Sequence, residues 1–397
     1  KTALTWTDDR KMGSFITPAD SAVRNFASFV RQAGKESVVD SASEPLQVAM
    51  LAYHALLELG VIYQVDPASP FTAVQENTNV VDSVSFPRDT LTRLTGDCDD
   101  LTALYATMLE SVGIETAFLT TPGHIYVAFN TGVAARDYLM VHSDRDMLFI
   151  VDDKVWLPVE ITMLGRGNFM DAWRFGIDEW DKLEQSPSDR GFYRTREAQS
   201  AFRPVGLRET DLGLQYGSAS RIRRGFEDDF NQLTNTILSD IRARAEERDN
   251  RRTYNQLGIY AARLGRLDEA RDAFNRAARM DSTYLDPRIN LGSVNFMDEK
   301  YGEAIRAFRD AVTAIQLAGG PVDPELETTV YINLSKSYFE LGDYDDAERY
   351  FELAAQVDPE NAGQFQYLAQ GSSESGARAS EAASGPAILF VDETGEE

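Results

Sequence analysis

The chain has one cysteine in 397 residues, Cys98, set in the run Gly96-Asp97-Cys98-Asp99-Asp100-Leu101. A lone thiol has no intrachain disulfide partner and no second thiolate for a metal site, which leaves nucleophilic chemistry as the role to weigh. A free thiol with a pKa of about 8.5 is only about 3% thiolate at neutral pH. A helix N-terminus beneath the sulfur lowers that pKa, and an imidazole beside it lowers it further. Three histidines are available: His54, His124 and His142. His54 lies inside an apolar helical stretch and reads as structural. His142 ends a short strand beside charged residues and is expected to face solvent. His124 follows Thr121-Pro122-Gly123 at the start of a strand, where its ring can lean over a facing helix end. A third group must orient the ring. Glu160 alternates with Trp156 and Pro158 and so shares their face. An acid in that apolar setting needs a partner, which makes it a better orienter than Asp152 or Asp153 in their turn. Cys98, His124 and Glu160 are therefore the candidate catalytic set.

The elements that must position these groups can be read from periodicity. Leu101, Leu104, Tyr105, Met108, Leu109 and Val112 form one stripe at helical spacing, closed by Gly113, so a helix begins at Cys98. Asp97 then stands near the N-cap, and Asp99 and Asp100 in the first turn oppose the helix dipole. Upstream, Thr17-Pro18-Ala19-Asp20 reads as an N-cap with proline at the first helical position of Ser21–Gln32. A second helix spans Glu44–Leu59 and stops at Gly60. Residues 61–90 look loop-rich, with breakers at Asp66-Pro67, Ser69-Pro70 and Phe86-Pro87. Strands are expected at Ile114–Thr120, His124–Asn130, Tyr138–His142, Met147–Val151 and Val155–Ile161. Turns fall at Thr121-Pro122-Gly123 and Asp152-Asp153. A helix followed by an antiparallel sheet is an α+β domain. Residues 165–216 are weakly patterned apart from a helix over Asn168–Glu184 carrying Trp173 and Trp180.

From residue 251 the pattern is a repeat. Tyr254, Leu257, Gly258, Gly265, Ala270, Phe274 and Ala277 recur in part 34 residues on as Leu291, Gly292, Ala304, Phe308 and Ala311. A third copy, Tyr331, Leu334, Tyr338, Gly342, Ala347, Phe351, Ala354 and Pro359, is displaced by 43, with the extra residues in the Gly/Pro-rich loop Leu317–Pro324. Period, small positions and aromatics resemble the tetratricopeptide repeat, an all-α solenoid whose concave face takes a protein or peptide. Asn361–Gln370 is a candidate final helix. The resulting division is 1–216 for the α+β domain with its N-terminal helices, 217–250 for a helical connector, 251–370 for three repeats and 371–397 for a flexible tail. Within that tail Ala387–Val391 is apolar and strand-like.

Composition limits the partners. The formal net charge is −25, which repels nucleic acid and anionic membranes. No apolar run approaches the length of a transmembrane segment. The chain begins at Lys1 without an apolar leader.

Gly96-Asp97-Cys98-Asp99-Asp100-Leu101, Gly113-Ile114, Pro122-Gly123-His124-Ile125-Tyr126 and Trp156-Leu157-Pro158-Val159-Glu160 together resemble the core of the bacterial transglutaminase-like superfamily. The likeness is to the branch of transglutaminase-like cysteine peptidases with a Gly-Asp-Cys-Asp/Glu-Asp motif, and it covers about residues 45–165. The resemblance implies a papain-like α+β core and a Cys–His–Asp triad, with Cys98 as nucleophile and His124 as general base. Glu160 stands where the family usually has Asp, which keeps the charge and lengthens the arm by one methylene. The implied reaction is acyl transfer on a protein or peptide amide, with hydrolysis as the outcome and no cofactor required; cross-linking to an amine is a lesser alternative. The backbone N–H of Cys98 supplies one oxyanion donor; the second is unassigned, and Gln75 in the upstream loop stays outside the site. Some relatives hold calcium through acids beside the cysteine, and Asp97 and Asp99 match those places; a cation there would relieve the pull of three carboxylates on the thiol pKa. The resemblance also implies an extracytoplasmic, periplasmic bacterial location, with the cytoplasm as alternative. The competing reading is a non-catalytic scaffold built from an inactive transglutaminase-like domain and the repeats.

Overall fold

The computed structural model describes residues 2–65, 81–182, 186–281, 283–317, 323–369 and 388–391. Asp66-Pro67, Ser69-Pro70, Gln75 and the centre of the Leu317–Pro324 loop lie outside the described residues. The chain divides into two compact units, Lys1–Val39 with Ser43–Ile237 and Asp40–Ala42 with Leu238–Glu397.

The first unit opens with β1 (Thr2–Thr5), a 3-10 turn and α1 (Ser21–Gly34). The cap of α1 is Asp20, whose carboxylate accepts the Ala22 N–H at 3.1 Å. Thr17 and Pro18, expected to begin this helix, lie in a turn before it, closed by the Asp20 N–H on the Thr17 carbonyl at 3.0 Å. Helix α2 (Glu44–Leu59) has the expected bounds, with Ser43 as cap and Gly60 in the left-handed region at φ 80°. The stretch read as loop holds more structure than its prolines suggest: β2 (Ile62–Tyr63), β3 (Val81–Val84) and α3 (Pro87–Arg93), where Pro87 starts a helix rather than breaking one. β4 (Thr95–Gly96) leads into α4 (Cys98–Ser111).

Five antiparallel strands follow in the spatial order β7-β8-β6-β5-β9: β5 (Thr116–Thr121), β6 (His124–Ala134), β7 (Phe149–Val151), β8 (Lys154–Val159) and β9 (Gly191–Arg194). The β5–β6 hairpin closes on Pro122-Gly123, with Thr121 paired to His124 and Gly123 at φ 79°. The β7–β8 hairpin turns on Asp152-Asp153, both with positive φ (48° and 57°), as a two-residue primed turn requires. The expected strand Tyr138–His142 is instead a 3-10 turn over Ala135–Met140. Strand β9 was not foreseen; it pairs with β5 and forms the sheet edge. Helix α4 packs on β5 and β6. Its Leu101, Leu104, Tyr105, Met108 and Leu109 are all at most 1% exposed, each contributing about 1.5–3 kcal/mol of burial before chain entropy is counted.

Helix α5 (Phe169–Asp181) starts with a capping box between Asn168 and Asp171, and α6 (Thr195–Ala201) follows β9. Helix α7 (Ala219–Arg248) was expected as a connector, yet its residues to Ile237 belong to the first unit. Ile222, Phe226 and Phe230 are buried, and the Asp229 carboxylate takes both the His54 ring at 2.7 Å and the Phe169 N–H at 3.0 Å.

The second unit is helical hairpins: α8 (Arg251–Arg263) with α9 (Leu267–Met280), α10 (Asp286–Met297) with α11 (Tyr301–Leu317), and α12 (Pro324–Leu341) with α13 (Tyr344–Val357). Small residues set their spacing. A Cβ on Gly258 would lie 2.5 Å from the Phe274 ring and one on Gly292 2.7 Å from Phe308. Ser335 occupies the matching place in the third hairpin and donates to the Ala347 carbonyl at 2.6 Å. The array ends in α14 (Pro359–Ala362) and a 3-10 turn, Gly363–Ala369, whose Phe365 and Leu368 join the core. Among the described residues no helix is long and apolar enough to cross a membrane.

Candidate functional site

Cys98 is the first residue of α4. Asp97 is the N-cap, its carboxylate accepting the Asp100 N–H at 3.3 Å, so the capping role expected of it is present. Asp100 accepts the Ser85 N–H at 2.5 Å and ties the helix start to β3. Cys98 is buried, 6% exposed. Burial is the largest influence on the thiol and pushes its pKa well up; the charges of Asp99 and Asp97 add to this, and the Ile125 backbone N–H, which bonds the sulfur, opposes it. The same burial, with Asp97 against it, pushes the Asp99 carboxyl well above the usual range. A protonated Asp99 places no charge on the thiol, so burial is the cause that stands without qualification.

His124, the residue before that amide, begins β6. Its Nε2 lies 2.6 Å from Glu160 Oε2. Burial works to lower the imidazole pKa, but the hydrogen bond and charge of Glu160 outweigh it and the net shift is upward. Glu160 stands one residue beyond β8 as the cap of a 3-10 turn. Its other oxygen accepts from the Thr162 N–H at 3.1 Å and the Thr162 hydroxyl at 2.5 Å. The longer arm of glutamate is thus fixed at both oxygens. Nε2 is committed to Glu160, and Nδ1 is the other ring nitrogen. The ring also stacks on Tyr126 at 5.5 Å.

The other histidines are structural. His54 joins α2 to Asp229. His142, expected to face solvent, is 8% exposed: its Nδ1 accepts the Asp144 N–H at 3.0 Å and its ring meets Trp173 edge-on. The turn that replaces the expected strand tucks the ring under α5.

Asp97, Asp99 and Asp100 each offer a carboxylate oxygen within 4.8 Å of the others, and all three are buried. Asp99 Oδ1 has no hydrogen-bond partner. This donor set fits a hard cation such as calcium.

In the repeat unit, Asn255, Asn290 and Asn333 lie on the first helices of the hairpins, each fully buried, and bond a segment near the C-terminus. These were not foreseen; the available signal was asparagine directly before the repeat leucine, at Asn290-Leu291 and Asn333-Leu334.

Comparison with known proteins bears on this second unit. A tetratricopeptide repeat family model matches residues 282–360, and another matches residues 241–284. The crystal structure of MamA is 20% identical over 36% of this chain and 81% of that one, with a TM-score of 0.28. The APC/C hetero-tetramer Cut9-Hcn1 is 14% identical over 59% of this chain and 38% of that one, with a TM-score of 0.30. No match is found among curated proteins. The second unit of this chain carries tetratricopeptide repeats, the module of protein–protein contact.

Proposed function

We propose that the first unit is a papain-like, transglutaminase-like cysteine hydrolase that cleaves a protein or peptide amide, and that the repeats dock a protein partner. The observation that carries the hydrolase reading is the relay Thr162–Glu160–His124, held one residue from the amide that bonds the Cys98 sulfur. In this reading the Cys98 thiolate attacks the substrate carbonyl, forming the C–S bond, and the proton taken up by His124 Nδ1 passes to the leaving amine as the C–N bond breaks. Water then adds to the thioester, giving its proton back through His124, and the acid departs as the thiol reforms. Glu160 steadies the imidazolium and fixes the tautomer. The Cys98 N–H, in the first turn of α4 and without an intrahelical acceptor, is one oxyanion donor.

Asp97 and Asp99, with Asp100, would hold calcium, whose charge keeps the carboxylates ionised and offsets their field at the thiol.

A non-catalytic, protein-binding scaffold is the second reading, favoured by the burial of Cys98 and the upward shift of its pKa. Alkylation by iodoacetamide at pH 7 separates the two, and a single cysteine makes the label unambiguous. The hydrolase reading expects wild type to react at least about tenfold faster than His124→Ala, with calcium chloride raising the wild-type rate. Equal rates with and without calcium give the scaffold reading.

A further inference from the structure

The segment Ile388–Val391 is bonded to the first helices of the three hairpins. Asn333 pairs with both backbone groups of Leu389: its Nδ2 donates to the carbonyl at 2.8 Å and its Oδ1 accepts the N–H at 3.1 Å. Asn290 does the same for Val391, at 2.8 and 2.7 Å. Ser293 Oγ adds a bond to the Leu389 carbonyl at 2.9 Å and Asn255 Nδ2 one to the Val391 carbonyl at 3.1 Å. The asparagines and serine are linked among themselves, Asn290 to Asn255 at 2.9 Å and Asn333 to Ser293 at 3.3 Å. All four of these polar residues are buried at 0% exposure. With the segment seated these amides are out of water, and each main-chain bond satisfies a buried group whose loss would cost on the order of 1–3 kcal/mol. The side chains between add apolar contacts: Ile388 is buried, Phe390 stacks on Phe274 at 6.4 Å, and Leu389 and Val391 pack against the repeat core.

The two bonded residues are two apart, the period of an extended strand, and each amide reads main chain rather than side chain. We propose that Ile388–Val391 is an internal ligand: it occupies in cis the site that receives an extended apolar segment of a partner protein, so the repeats stay closed until this tail is displaced. The proposal rests on the docking reading of the repeats and is independent of the hydrolase reading.

The test uses the full chain and a Leu389→Pro/Val391→Pro variant, which deletes both donated N–H groups and leaves the ladder intact. The probe is a fluorescein-labelled peptide of residues 386–392, followed by fluorescence polarisation. A tethered tail acts at an effective concentration on the order of millimolar, so the wild-type chain should bind the probe at least about tenfold more weakly than the variant. Adding Asn290→Ala and Asn333→Ala to the variant should abolish most of that binding, with circular dichroism at 222 nm confirming the helices. Equal binding by both chains overturns the internal ligand and leaves docking standing. If the variant ignores the probe but selects other sequences from a displayed random-peptide library, the internal ligand again fails and docking stands. If it selects none, both fail. A wild-type dimer in light scattering that the variant does not form would assign the tail to a second copy and overturn occupation in cis.

Discussion

Asp99→Asn tests the acidic collar of the thiol directly. Asp99 is 1% exposed, its Oδ1 lacks a hydrogen-bond partner, and burial holds its carboxyl well above the ordinary range. In the unfolded chain the same group ionises at about 3.9. Below that value both states are protonated and the group costs nothing. As pH rises past it, the unfolded state loses a proton that the folded state keeps, so stability falls with pH by about 1.4 kcal/mol per unit until the folded group ionises. The fall begins as pH passes about 4 and continues for as long as the folded group keeps its proton. Asparagine has the same shape, offers an N–H towards Asp97 and does not titrate. The variant should therefore match wild type near pH 4 and become progressively more stable above it. Tryptophan fluorescence in urea is the assay, because Trp6, Trp156, Trp173 and Trp180 are all four tryptophans of the chain and lie in the first unit. Saturating calcium should remove the slope from wild type, since a bound cation ionises Asp99. Curves for the two proteins that run parallel within about 0.5 kcal/mol from pH 4.5 to 6.5 would refute the reasoning.

Two further perturbations test other parts of the molecule. Glu160→Gln removes the largest influence that raises the His124 pKa and leaves burial, the largest of all, which lowers it, so histidine NMR should show that resonance titrating below about 6.5. Because a raised imidazole pKa stabilises the fold below about 6.5 and ceases to as pH climbs through the folded value, the stability lost in this variant should be largest in acid and shrink above neutrality. Gly292→Ala drives a methyl to 2.7 Å from the Phe308 ring, and overpacking of that kind costs about 1–3 kcal/mol. Circular dichroism should then show the repeat transition falling by roughly 2–4 °C per kcal/mol, with tryptophan fluorescence unmoved.

What was legible in the sequence follows the range of the interaction concerned. Helix α2 could be bounded because Ser43, Pro45 and Gly60 act within a turn of their own positions. The two hairpins were legible for the same reason, Pro122-Gly123 and Asp152-Asp153 being local conformational signals. The partnership of His124 with Glu160 spans 36 residues and was reached through the cost of burying an acid, a rule that does not depend on separation. The failures are tertiary. His142 looks exposed beside Asp144 and Arg145, but Trp173, 31 positions on, covers its ring. Strand β9 has four residues and draws its stability from β5, about 75 positions upstream, so its own pattern is slight. The asparagines at Asn290-Leu291 and Asn333-Leu334 share a repeat position, but nothing local names their partners, and such partners lie up to 136 residues away.

The carboxylate of Asp229 has a consequence for how the protein is made. It joins α2 and α5 across 175 and 60 positions, and Gly225 on the same helix admits the His54 ring where a Cβ would lie 2.3 Å from Nδ1. During synthesis at about 5–20 residues per second, the sheet and its helices emerge well before this helix does. The surface that Ile222, Phe226 and Phe230 cover is therefore exposed until this helix has emerged, and a nascent chain stopped at residue 216 lacks that cover. The first unit is complete only when translation has entered the helix that leads to the repeats.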